Sequence, residues 1–208
     1  MKIINQSVIQ DIKNGRPLRL NLGCGPITKK GFYNLDILEM EGVDIVADLN
    51  KPLDELPDNS VVEIYSSHTF EHISNFFGLM AELFRIVKPN GRIETIVPHF
   101  SNPIGYSDPT HVRFFGLYTM YYFVDRRYQM RCPVPTHYSE IRFKIHSVRI
   151  KFARGGLDRW FGAFVEKIVN INSRTKALFE RHFCWHWPAS ELVYVMSPDK
   201  QIIPEKNA

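Results

Sequence analysis

The stretch Leu18-Arg19-Leu20-Asn21-Leu22-Gly23-Cys24-Gly25-Pro26 decides the fold. Its first five residues alternate strictly, the period of a strand. The two glycines and the proline then break the chain sharply. A strand that ends in Gly-x-Gly lets backbone approach a ligand closely at the strand's carboxyl end. Asp36 closes the next apolar run, where a carboxylate can accept ribose hydroxyls. Asp48 closes the run after that.

Working outward, strands are predicted at Phe32–Ile37, Val43–Ala47, Val61–Tyr65 and Arg92–Val97. One helix is predicted from Thr69 to Val87, with Phe70, Ile73, Phe77, Met80, Leu83 and Val87 as its buried stripe. Lys88-Pro89-Asn90-Gly91 ends it. Upstream, residues 2–13 read as a short amphipathic helix stopped by Asn14-Gly15. Residues 101–140 are rich in Tyr, Phe, Pro and His, and read as loop and short helix over one edge of the sheet. Lys144–Phe152 and Glu191–Met196 are predicted as the final strand pair, with one helix from Trp160 to about Phe183 between them. Strands separated by turns and one clear helix indicate an α/β domain with a largely parallel sheet. The expected organisation is a single domain over 1–208, with a core at 18–100 and elaborations at 101–140 and 153–190.

The 208 residues carry 26 basic and 22 acidic side chains, a net charge of +4. That permits an anionic substrate without demanding nucleic acid. Cys24, Cys132 and Cys184 are odd in number and form no Cys-x-x-Cys pair, so neither a disulfide scaffold nor a zinc ribbon is expected. There is no apolar run of ~18 residues and no signal-peptide pattern near the start, so the expected location is the cytoplasm.

Leu20-Asn21-Leu22-Gly23-Cys24-Gly25 resembles the first motif of the class I S-adenosylmethionine-dependent methyltransferases. The segment Arg85 to Gly91 resembles their helix-to-strand signature. Asp48-Leu49-Asn50-Lys51-Pro52-Leu53, Ser67-His68 with Glu71-His72, and Ser107-Asp108-Pro109-Thr110-His111 resemble a bacterial subgroup associated with cell-surface polysaccharide and lipopolysaccharide biosynthesis. The resemblance implies a Rossmann-like fold: a mostly parallel seven-stranded sheet with a C-terminal antiparallel hairpin and an inserted cap. It implies S-adenosylmethionine as cofactor. Gly23, Cys24 and Gly25 would pack against its methionine part and Asp36 would take the ribose. Asp48 and Leu49 would meet the adenine, and Ser66, Ser67 and His68 would lie near the sulfonium. Asn21 stands where the family's first motif usually opens with an acidic residue. The short run from Gly25 to Asp36 leaves little room for the usual helix.

Methyl transfer to a sugar hydroxyl benefits from a base, and histidine is the side chain best poised for it. His68, His99 and His111 follow strand ends, and Asp108 could orient His111. His68 and His72, four apart, could share a helix face and, with His99 and Asp108, build a divalent site. No compact signature supports this, and no metal is expected. His182, Cys184 and His186 read as aromatic packing. The expected acceptor is a glycan or small molecule. No DNA partner is expected: Ser66-Ser67-His68-Thr69 stands where base-methylating enzymes often carry an Asn/Asp-Pro-Pro-aromatic stretch, which argues against amino methylation of adenine. RNA is disfavoured, although Arg142, Lys144, Arg149, Lys151, Arg154 and Arg159 form a basic stretch. Phe161, Phe164, Val165 and Ile168 leave a weak membrane-surface association open. The competing readings are an RNA or other small-molecule methyltransferase, a non-catalytic scaffold of the cofactor fold and, disfavoured by the missing third glycine, a nicotinamide dehydrogenase. The oligomeric state is not legible.

Overall fold

The computed structural model describes residues 1–130, 132–153 and 159–201. Among the described residues eight strands form one sheet: β1 (Lys2–Ile3), β2 (Leu18–Leu22), β3 (Tyr33–Asp36), β4 (Ile45–Val46), β5 (Val61–Ser67), β6 (Val87–Pro98), β7 (Phe143–Lys151) and β8 (Glu191–Pro198). Their spatial order is β1-β4-β3-β2-β5-β6-β8-β7. The five from β4 to β6 run parallel. β1 pairs antiparallel with β4, and β8 antiparallel with both β6 and β7. The fold is Rossmann-like, a mostly parallel sheet with antiparallel C-terminal strands. The short β1 is the strand beyond the expected seven.

From β2 the chain goes outward to β3 and β4, then returns to β5 and β6 on β2's other side. The order reverses beside β2, and the crevice outside the carboxyl ends of β2 and β5 is where such sheets bind ligands. Leu18, Leu20, Leu22, Ile64, Ile93 and Val97 are buried on one face of the sheet. Helix α2 (Phe76–Ile86) packs Phe76, Leu79, Met80, Leu83 and Ile86 into the same core. Full burial of one such side chain is worth ~1.5–3 kcal/mol.

Two predicted helices differ from those found. Residues 69–87 are not one helix: a 3-10 turn covers Phe70–His72, and α2 begins only at Phe76. The cause is Asn75, whose side chain accepts from the Gly78 amide at 3.2 Å. Asn75 is itself held by Asn50, whose side-chain oxygen accepts from the Asn75 amide at 3.0 Å. The buried stripe therefore starts at Phe76, and Phe77 lies outside it. The predicted helix from Trp160 to Phe183 is likewise two, α3 (Arg159–Val169) and α4 (Ser173–His182). Asn172 and Thr175 form a capping box that starts α4 afresh. The lead-in helix is α1 (Gln6–Lys13).

The connections β2–β3, β3–β4 and β4–β5 contain no helix. On the sheet face that such helices would cover stand Arg19, Glu63, Arg92 and Glu94: Arg19 and Arg92 each pair across strands with Glu63, and Arg92 pairs along β6 with Glu94. Exposed pairs of this kind are worth little in stability. They keep an uncovered face polar. The described residues of 99–130 and 132–142 form loop and three 3-10 turns. Their Phe115, Leu117, Met120 and Phe123 are buried in the core, with Phe76 edge-on to both Phe115 and Phe123. Among the described residues no helix is long and apolar enough to cross a membrane.

Candidate active site

Gly23 and Gly25 both adopt left-handed backbone, at φ +61° and +51°. A side chain at Gly23 would meet Thr69, with Oγ1 only 2.3 Å from the added carbon. At Gly25 the same carbon would meet nothing within 4 Å. The Gly25 amide donates to Asp36 Oδ2 at 2.8 Å, and the Leu38 amide donates to Asp36 Oδ1 at 3.1 Å. A carboxylate has about four acceptor positions, so each oxygen keeps one for a ligand hydroxyl. Beside it Ile27, Ile37 and Leu38 are 78%, 60% and 62% exposed. The open space over Gly25, the half-used carboxylate and these apolar side chains suit a group with a ribose and an adenine.

The other residues of the expected cofactor set take several positions. Asn21 is buried beneath the loop, and its amide donates to Asn34 Oδ1 at 2.9 Å and to the Ile27 carbonyl at 3.4 Å. It holds the Gly-rich turn. Burial first, and Asp36 second, push the Cys24 thiol up to about 11, so it stays protonated. Asp48 accepts from the Asn50 amide at 2.9 Å, which holds its carboxyl below the usual range. Leu49 is in the core. Ser66 is fully buried at the end of β5, and its hydroxyl has no hydrogen-bond partner. Ser67, next in β5, is half-buried.

The histidines separate clearly. His68 takes left-handed backbone at φ +53° and lies outside any helix, so it shares no helix face with His72. Its Nε2 faces Glu191 Oε1 at 3.0 Å, and its Nδ1 faces Glu71 Oε1 at 3.4 Å. Glu191, then Glu71, pushes the imidazole up to about 9. Protonated at neutral pH, it cannot serve as a base. His99 is fully buried: its Nδ1 accepts from the Ser101 amide at 3.0 Å, and its Nε2 stands 3.3 Å from Glu180 Oε1. Both nitrogens face protein, so His99 is removed as a base too, and from the supposed group with His68 and His72. His111 Nδ1 donates to the Gly105 carbonyl at 2.8 Å. Its lone pair is therefore on Nε2, 3.7 Å from Asp108 Oδ2. Glu71 beside them carries a signal that sequence reading missed, because the predicted helix hid the tight turn at Phe70–His72.

The basic stretch is partly neutralised. Lys144 pairs with Asp199 at 3.3 Å and Lys151 with Glu191 at 3.6 Å, while Arg142 caps the Ile141 carbonyl at 2.8 Å. Arg154 and the Arg159 side chain lie outside the described residues. Cys184 is buried, its thiol donating to the Glu180 carbonyl, between exposed His182 and His186.

Residues 31–94 match the family model described as a methyltransferase domain. No curated protein matches the chain. A SAM-dependent methyltransferase from Archaeoglobus fulgidus is similar in structure, at 18% identity and TM-score 0.52 over 93% of this chain and 92% of that one. The YcgJ protein from Bacillus subtilis aligns at 14% identity and TM-score 0.47, over 93% and 97%. The fold is that of the class I S-adenosylmethionine-dependent methyltransferases. With the domain match it supports S-adenosylmethionine-dependent methyl transfer, with S-adenosylmethionine as the cofactor.

The glycines give a direct test of the cofactor cradle. S-adenosylhomocysteine at a hundredfold excess over its Kd should stabilise the wild type by roughly 2.7 kcal/mol, and NAD should not. Gly25→Ala should cost only the ~1–2 kcal/mol of left-handed strain yet abolish most of the ligand-induced shift. Gly23→Ala should cost more stability, because its new carbon collides with Thr69. Thermal melts with and without ligand read both; an undiminished shift in Gly25→Ala would contradict the cradle.

Proposed function

We propose that the protein is a cytoplasmic O-methyltransferase that acts on a hydroxyl of a saccharide or glycolipid precursor, in cell-surface polysaccharide synthesis. The carrying observation is the loop after β6. There the free Nε2 of His111 lies beside Asp108, and Tyr106 stacks on Phe114 with ring centroids 4.5 Å apart. Both rings are about half exposed. Aromatic faces of this kind offer an apolar platform with a polar tip, suited to the C–H face of a sugar ring. Tyr106 follows Gly105, the residue whose carbonyl holds His111.

Bound S-adenosylmethionine supplies an electrophilic methyl group on a sulfonium. Asp36 and the amides around Gly25 hold and orient the nucleoside. His111 assists the loss of the acceptor proton, and Asp108 orients the loop through Thr110. In this reading the whole chain is one methyltransferase domain, with 18–100 binding the cofactor and 101–140 and 153–190 facing the acceptor. Trp160, Phe164 and Ile168 on α3 are exposed, which supports weak contact with a membrane surface that carries a lipid-linked acceptor.

The test is an acceptor screen with labelled S-adenosylmethionine over nucleotide sugars and lipid-linked glycans. Label in an alkali-stable ether on a sugar is the expected result. Transfer to RNA alone would sink the reading.

A further inference from the structure

We propose that Glu71, His72 and His111 form a binding site for a divalent cation of the zinc type. One ligand atom from each lies within 4.8 Å of the others. Glu71 is 1% exposed, and neither carboxylate oxygen has a hydrogen-bond partner. A buried carboxylate without hydrogen bonds is costly and needs a compensating charge. The His68 imidazolium lends its charge to Oε1 alone, at 3.4 Å and without hydrogen-bond geometry, and Oε2 has no hydrogen-bond partner. A cation between Glu71 and the two imidazoles would answer the remainder.

The two imidazoles are prepared for this. Asp108 can only accept, so the Thr110 hydroxyl gives its proton to Asp108 Oδ1 at 2.5 Å. Thr110 Oγ1 must then accept from His72 Nδ1, 2.9 Å away. His111 gives its Nδ1 proton to the Gly105 carbonyl. Both rings therefore carry their lone pair on Nε2, and each is oriented from behind by an oxygen acceptor. Metal-ligating histidines show this arrangement almost without exception. The rings meet edge to face, with centroids 4.7 Å apart. The Val112 amide donates to the Glu71 carbonyl at 2.9 Å, which ties the loop of His111 to the turn of Glu71 and His72.

Two histidines and one glutamate are the ligand set of open zinc sites, which keep a further position for water or substrate oxygen. A cation there lowers the pKa of a bound hydroxyl. That role rests on the proposed acceptor chemistry; the site itself does not. It would make His111 act on the acceptor proton through the cation, as a ligand.

The experiment uses the full chain, stripped with chelator, without cofactor or acceptor. Zinc chloride is titrated by calorimetry and by competition with a chromophoric chelator. One equivalent should bind. Glu71→Gln, His72→Gln and His111→Gln should each weaken binding by at least the ~10–100-fold that loss of an outer-sphere partner costs. Thr110→Val, on an exposed loop, should itself fall in that range, and it keeps the test valid where a variant of buried Glu71 fails to fold. Cobalt(II) in place of zinc should give a visible spectrum that His111→Gln changes. No stoichiometric zinc binding, or binding unchanged in His111→Gln and Thr110→Val, would overturn the site. Methyl transfer that survives full chelation would overturn only the cation's role in the reaction. The acceptor screen decides the substrate reading separately.

Discussion

His111→Ala is expected to lower methyl transfer by about 10²–10⁴-fold, the usual contribution of a positioned proton acceptor, while S-adenosylhomocysteine affinity stays nearly unchanged. The Gly105 carbonyl fixes the ring and leaves Nε2 with the lone pair. Of the three histidines at strand ends, this one has the ring nitrogen farthest from a protein partner, Nε2 at 3.7 Å from Asp108 Oδ2. His68 is held between two carboxylates, and His99 lies between Ser101 and Glu180. His99→Ala is therefore the informative control. It should cost roughly 1–3 kcal/mol of stability by leaving buried polar partners unmatched, with turnover per folded molecule little changed. Single-turnover rates with saturating cofactor, measured with and without chelator, separate a lost base from a lost cation ligand. Wild-type turnover in His111→Ala would end the assignment in either form.

Asp36→Ala should weaken S-adenosylhomocysteine by roughly a hundredfold, about 2.7 kcal/mol. Hydrogen bonds to a charged group contribute about 1.5–3 kcal/mol each, and the ribose can offer two. The same carboxylate also fastens the Gly25 and Leu38 amides, so its removal loosens the turn that faces the cofactor. Asp36→Asn should fall between, because its remaining oxygen can still take the Gly25 amide. Asp48→Ala should lose far less. Its hydrogen bonds go to the Asn50 amide at 2.9 Å and the Asn50 side chain at 3.1 Å, so its removal leaves the Gly25 turn fastened. Calorimetric titration of the three variants decides the matter; equal losses at Asp36 and Asp48 would contradict the ribose assignment.

The difference between the two aspartates shows what kind of reading sequence permits. Asp36 ends β3 and Asp48 lies two residues past β4, both at the carboxyl ends of parallel strands. Both accept from the amide two residues on, and Asp36 in addition takes the amide of Gly25 in the Gly-rich turn. The same holds for Asn21, which reads as a cofactor contact but is spent on Asn34 and Ile27. It also holds for Glu71 and His72, which the apolar stripe assigned to a long helix that Asn75 in fact postpones.

The sequence by itself determined the strand alternation of Leu18–Leu22, the Gly-rich turn that ends it and the carboxylates that end or follow the next two strands. These are short-range properties: side-chain period, backbone sterics and turn chemistry act between near neighbours. Only the tertiary structure decided which histidine is free, which is charged and which is buried. It alone brought Glu71 and His72 against His111, across the whole of α2 and β6. Convergence of this kind depends on where long connections close and on which buried polar groups find partners. Neither is written in local periodicity.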